Sequence, residues 1–166
     1  MPPASTRWKC SAGINATLTC LEKILAFLAG IGIVVRRGEV APGGFLPGIR
    51  IEAGALVYNP DGVFYPGDLL HEAGHLALMD PARRASANGD IGDDAGEEMG
   101  AIAWSYAAAL HIGIDPGVVF HPDGYKGGSE AILENFAAGR YLGVPILRWK
   151  GLTADGYPHM LRWLSL

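Results

Sequence analysis

The stretch from Asp68 to Met79 reads DLLHEAGHLALM, which sets two histidines and a glutamate inside a run of leucine, alanine and methionine. At 100° per residue Leu69, Leu70, Leu76, Leu78 and Met79 point in widely different directions. A helix here has no fully polar side and is predicted to be buried all round. Residues four apart share a face, so His71 and His75 stack one turn apart and their imidazoles can converge on one point, with Glu72 one residue round. An unpaired buried polar group costs roughly 1 to 3 kcal/mol, and an unpaired buried carboxylate costs more. Three such groups in one helix therefore need a common partner.

The rest of the chain limits what that partner serves. A length of 166 residues fits one compact domain with a sizeable core, so residues 1–166 are read as a single domain. Apolar residues make up 49% and charged residues 18%, which excludes a disordered chain. A net charge of −4 argues against nucleic acid, which would select a basic stripe. The only adjacent basic pairs, Arg36-Arg37 and Arg83-Arg84, are read as solvated turn residues. Ile24 to Val35, ILAFLAGIGIVV, is uncharged but falls short of the roughly 20 apolar residues a membrane span needs, so it is assigned to the core. The start, MPPASTRWKC, does not lead into a secretory apolar segment. Cys10 and Cys20 lack C-x-x-C spacing and are expected to be free thiols in a reducing cytosol, which makes the expected location cytoplasmic. The Asn15-Ala16-Thr17 sequon carries weight only in a secreted chain.

Along the chain, Leu18, Leu21, Ile24, Leu25 and Leu28 form the stripe of an amphipathic helix over 15–29, ended by Gly30 and Gly32. Ile31 to Val35 reads as a buried strand, and Ile49 to Tyr58 as a half-exposed strand with a turn or bulge at Ala53-Gly54. Asn59-Pro60-Asp61-Gly62 is a turn, followed by a short strand at Val63, Phe64 and Tyr65. Asp68 suits the N-cap of the His71 helix, and Pro81 marks its end. A polar loop over 82–92 leads to a helix from about Asp93 to His111. A helix from Ser129 to Arg140, a strand from Pro145 to Trp149 and an unassigned Met160 to Leu164 segment complete a C-terminal third rich in glycine and proline. The fold class predicted is α+β: a small, mostly antiparallel sheet packed on helices.

A divalent metal is the partner that suits two imidazoles: zinc accepts neutral imidazole nitrogen at about 2.0 to 2.1 Å, and two histidines with a carboxylate from elsewhere leave a fourth position for water. At this point the sequence resembles the zincin metallopeptidases, whose H-E-x-x-H signature is matched by His71, Glu72 and His75. The resemblance covers Asp68 to Ala108. The metzincin branch would need Gly and His where Leu78 and Pro81 stand, so it is excluded. The gluzincin branch implies a third ligand, a glutamate on the following helix, and Glu97 and Glu98 are both on offer. With Glu97 at 0°, the Met99, Ile102, Tyr106 and Leu110 stripe falls between about 140° and 220° and Glu98 at 100°, which favours Glu98. Trp104 and Ala108 make the Glu97 side apolar as well, and acidic residues suit any helix first turn, so Glu97 stays open. Ala101, Ala103, Ala107, Ala108, Ala109 and Gly74 would let the two helices approach closely.

By this resemblance the expected activity is zinc-dependent hydrolysis of a peptide or protein substrate, with Glu72 as the catalytic base that takes a proton from water. The strand over 48–52 offers an edge to which an extended peptide could add. His111, His121, Tyr125, Tyr157 and His159 are weaker candidates, the last two as donors to an oxyanion in the manner of some zincins. The competing class is a non-catalytic module that keeps a zincin-like metal site for stability or regulation.

Overall fold

A computed structural model describes residues 18–44, 46–62, 64–89 and 94–166. Among these residues it has six α-helices and one three-stranded sheet, an α+β arrangement. The first helix, α1 (Cys20–Ile31), opens on a capping box: Thr19 Oγ1 accepts from the Glu22 amide at 3.2 Å and the Thr19 amide donates to Glu22 at 2.7 Å. That box, spelled Thr19-x-x-Glu22, starts the helix later than the apolar stripe suggested and leaves Leu18 half exposed. The helix also runs past Gly30. Gly32 adopts the left-handed cap, and the Ile33 amide turns back onto Leu28 O at 2.9 Å. The strand expected from Ile31 is displaced by this turn and becomes β1 (Val35–Arg37).

The segment Ile49 to Tyr58 is a hairpin rather than one strand. Ala53 at φ 47° and Gly54 at φ 74° form its tight turn between β2 (Ile49–Glu52) and β3 (Ala55–Tyr58). The sheet order is β1-β3-β2, with β1 parallel to β3 and β2 antiparallel to it, so the sheet is mixed instead of mostly antiparallel. A parallel pair requires a crossover, and the chain supplies it through 38–54, which sequence alternation does not reveal. Arg36 and Arg37 are exposed strand residues paired with Glu52 and Asp61. Phe64 and Tyr65 are not strand, and Val63 lies outside the described residues.

The helix α2 (Pro66–Leu78) is the centre of the molecule and packs on α1, β3 and α4 (Ala95–His111). Every residue from Gly67 to Leu78 is buried except Glu72, as expected for a helix without a polar side. Asp68 is not its N-cap. Tyr65 holds that position and Pro66 stands in the first turn, where its missing amide is no loss, so Asp68 lies inside the helix and its carboxylate serves another contact. The helix stops at Leu78. Asp80 then caps α3 (Pro81–Ala85), where a loop was expected. Arg83 reaches Glu97, and Arg84, half-buried rather than solvated, donates to Leu76 O at 2.9 Å and to Met79 O and Ser165 O at 2.7 Å each.

Asp94 caps α4, accepting from the Gly96 and Glu97 amides at 2.8 and 2.9 Å; Asp93 lies outside the described residues. The C-terminal third adds α5 (Ser129–Ala137) and α6 (Val144–Trp149). The latter replaces the expected strand. Gly143 turns left-handed against Met99 O, and Pro145 fits a helix first turn. Met160 makes only an isolated bridge to Thr153.

Cys20 is disulfide-bonded, which corrects the expectation of a free thiol. Cys10 and the Asn15 sequon lie outside the described residues. No described helix is long and apolar enough to cross a membrane.

Candidate metal centre

Two helices build the site. On α2 the His71 and His75 rings meet at right angles, 84° and 4.8 Å between centroids, with Nε2 atoms 3.2 Å apart. From the first turn of α4, Glu98 places Oε1 3.3 Å from His71 Nε2 and Oε2 3.0 Å from His75 Nε2. The close approach that allows this rests on small residues: a Cβ on Gly74 would meet Ala101 O at 2.9 Å and Ala101 Cβ at 3.3 Å.

Two imidazole nitrogens converge on one carboxylate, each facing a different oxygen of Glu98. A tetrahedral ion with bonds of about 2.0 to 2.1 Å holds neighbouring donors ~3.3 Å apart, and the 3.2 Å between the two Nε2 atoms matches that spacing. The donor set, two imidazole nitrogens and a carboxylate oxygen, is one zinc accepts. Both histidines are 3% exposed, so no bulk water screens them.

Charge follows the same geometry. Burial acts to raise the Glu98 carboxyl, but hydrogen bonds and charge from His71 and His75 together outweigh it and hold it well below the usual carboxylate range. Burial opposes the charged form of His71, and Glu98, with lesser help from Glu72 and Asp68, overcomes it and raises the imidazole. The cluster thus favours positive charge at its centre.

Glu72 is the second acidic group here. One ligand atom each of His71, Glu72 and His75 lies within 4.8 Å of the others. Glu98 is nearer to both imidazoles, one carboxylate oxygen to each, so it is the better third ligand and Glu72 stands beside it. Burial pushes the Glu72 carboxyl up, against the pull of His71 and His75. Glu72 also lines a cavity of about 160 Å³ with Leu46, Ile49, Ile51 and Gly89. Glu97 faces away: Arg83 holds it with both guanidinium nitrogens, NH2 to Oε2 at 3.0 Å.

The loop candidates divide. Tyr125, half-buried, brings its hydroxyl to 3.0 Å from His71 Nδ1, and the buried His121 Nε2 pairs with Asp68 Oδ1 at 2.9 Å. Tyr65 stacks on His121 at 4.0 Å and 5°, and its hydroxyl donates to Asp123 at 2.9 Å. Neither Asp68 nor Tyr65 was foreseen, since nothing local signals a partner 53 residues away in the case of Asp68. Tyr157, His111 and His159 are elsewhere. The Tyr157 hydroxyl is given to Ala103 O at 2.7 Å, which leaves it no proton for an oxyanion; His111 packs against Phe27 and Trp163, and it lines a separate cavity with His159.

Compared with family models, curated proteins and solved structures, the chain has no match in any of the three.

Proposed function

We propose that the protein is a zinc-dependent peptidase of zincin type, in which His71, His75 and Glu98 hold the ion and Glu72 is the catalytic base. The observation that carries this reading is the convergence of both imidazole Nε2 atoms on the Glu98 carboxylate, with the half-buried Glu72 carboxyl beside it, open to a cavity. Zinc held by His71, His75 and Glu98 would supply Lewis acidity toward a substrate carbonyl and an acidified water. Glu72, beside these residues, would hold and pass on a proton as general base and acid, a contribution of typically 10² to 10⁴ in rate.

A peptide substrate is supported by the sheet edge at the same cavity. β3 bonds to β1 through Leu56 and Tyr58, and Asn59 bonds to Gly48, so Ile49 and Ile51 turn their backbone groups outward. Ile51 O accepts from Gly89, while Ile49 O and Ile51 N–H have no backbone partner among the described residues. An extended chain can add to that edge. The bonded Cys20 favours an oxidising compartment over the cytoplasmic one expected from free thiols.

A metal site kept for stability alone is the second reading, favoured by the burial of both histidines. One experiment separates the two. Zinc content and cleavage of a mixed peptide library are measured for wild type, Glu72→Gln and His71→Ala. The peptidase reading expects Glu72→Gln to keep zinc and lose at least about 100-fold in turnover, and to show slowed exchange at the Ile51 amide when a peptide binds. His71→Ala is expected to lose the metal. Turnover unchanged in Glu72→Gln ends the peptidase reading, and a metal-free native protein ends both.

A further inference from the structure

The loop between the Pro116–Val118 turn and α5 is fastened to α2 and enters the site from behind the ligands. Its start is fixed by His121, which is held by Asp68 on one side and stacked on Tyr65 on the other. Ser129 ties the far end back, donating to His121 O at 2.6 Å. Between these anchors Tyr125 and Lys126 both take φ 53°, a left-handed conformation that bulky side chains rarely adopt. Such a conformation persists only where its surroundings enforce it, and it concentrates at functional sites.

What the conformation secures is the phenol of Tyr125. Its ring stands perpendicular to the His71 imidazole, 5.3 Å and 88°, with Phe120 behind it at 5.1 Å. Its hydroxyl lies 3.0 Å from His71 Nδ1. The matching nitrogen of His75, Nδ1, is buried without a hydrogen-bond partner, so one of the two candidate ligands is oriented through its rear nitrogen and the other is not. A neutral imidazole has one N–H and one lone pair, and the partner at one nitrogen decides which form is present. With the Tyr125 oxygen accepting from Nδ1–H, the lone pair is left on Nε2, the nitrogen that faces His75 and Glu98.

We propose that Tyr125 is a positioning residue, which holds His71 in its Nδ1–H form and aims Nε2 at the metal. This rests on the metal reading above and on no assumption about catalysis. Tyr125→Phe removes one oxygen and keeps the ring against Phe120 and His71. Tyr157→Phe is its counterpart, deleting a buried hydroxyl bonded to Ala103 O, away from the ligands. Zinc affinity of the full chain is measured by competition with a chromophoric chelator, and the ring nitrogens of His71 are followed by ¹⁵N NMR with zinc bound. The expected result is a 10- to 100-fold loss of affinity in Tyr125→Phe, about twofold or less in Tyr157→Phe, and zinc on Nε2 with a protonated Nδ1 in wild type. Affinity retained in Tyr125→Phe, an equal loss in Tyr157→Phe, or zinc on Nδ1 overturns the proposal and leaves the metal site standing. No zinc binding by wild type overturns both.

Discussion

Adjacent glutamates on α4 have separate partners: Glu97 is held by Arg83, and Glu98 by the two imidazoles. The consequence is a sharp contrast between two near-identical substitutions. Glu98→Gln is expected to weaken zinc binding by about 100-fold or more, since it removes a ligand charge, whereas Glu97→Gln stays within about threefold. Isothermal titration of both variants measures the contrast, and equal losses would show that the His71, His75 and Glu98 cluster is not the binding site. At this scale much was legible. Helical spacing put His71 and His75 on one face, and once the resemblance pointed to a glutamate on the next helix it favoured Glu98 while leaving Glu97 open. Asp68 was not legible, because a capping role is a local inference and its true partner, His121, is brought to it only by tertiary folding.

Elements were legible where their ends carry strong chemistry and obscure where a short apolar run stands alone. The acidic residues of its first turn marked α4, the apolar stripe marked α1, and α2 was marked by His71 and His75 four apart in an apolar run that Pro81 ends. Val144–Trp149 is six residues long, too few for a period, and a β-branched apolar run of that length fits strand or helix equally. The element contact that matters most is α2 on α4. Gly74→Val places branched carbons where even a Cβ meets Ala101 O at 2.9 Å, so the helices must separate. The expected cost is about 1–3 kcal/mol by urea denaturation, accompanied by weaker zinc binding because His75 and Glu98 ride on the separating helices. Stability lost with affinity intact would mean that the two ligand-bearing helices are not coupled through this contact.

On the scale of the whole molecule the site and the fold are linked. Its donors lie on two helices of one core, so an ion bound to the native state alone stabilises all of it. Zinc at about 100 times its Kd contributes ~2.7 kcal/mol. For a chain of this size that raises the thermal midpoint by about 5–10 °C, reversed by a chelator. A midpoint indifferent to zinc would place the ion outside the folded core. The α+β class was legible from the mixture of periodicities, but the mixed sheet was not, since strand direction depends on a crossover that no local pattern encodes.

The last residues have a part in this linkage that their sequence does not advertise. Trp163 O receives the Trp104 indole N–H at 3.0 Å, the Ser165 amide donates to Ala77 O at 2.9 Å, and Arg84 grips Ser165 O at 2.7 Å. The short segment 163–165 thereby bonds to α2 through Ala77, to α3 through Arg84 and to α4 through Trp104, so cutting these bonds would loosen the pairing of the two helices that carry His71, His75 and Glu98.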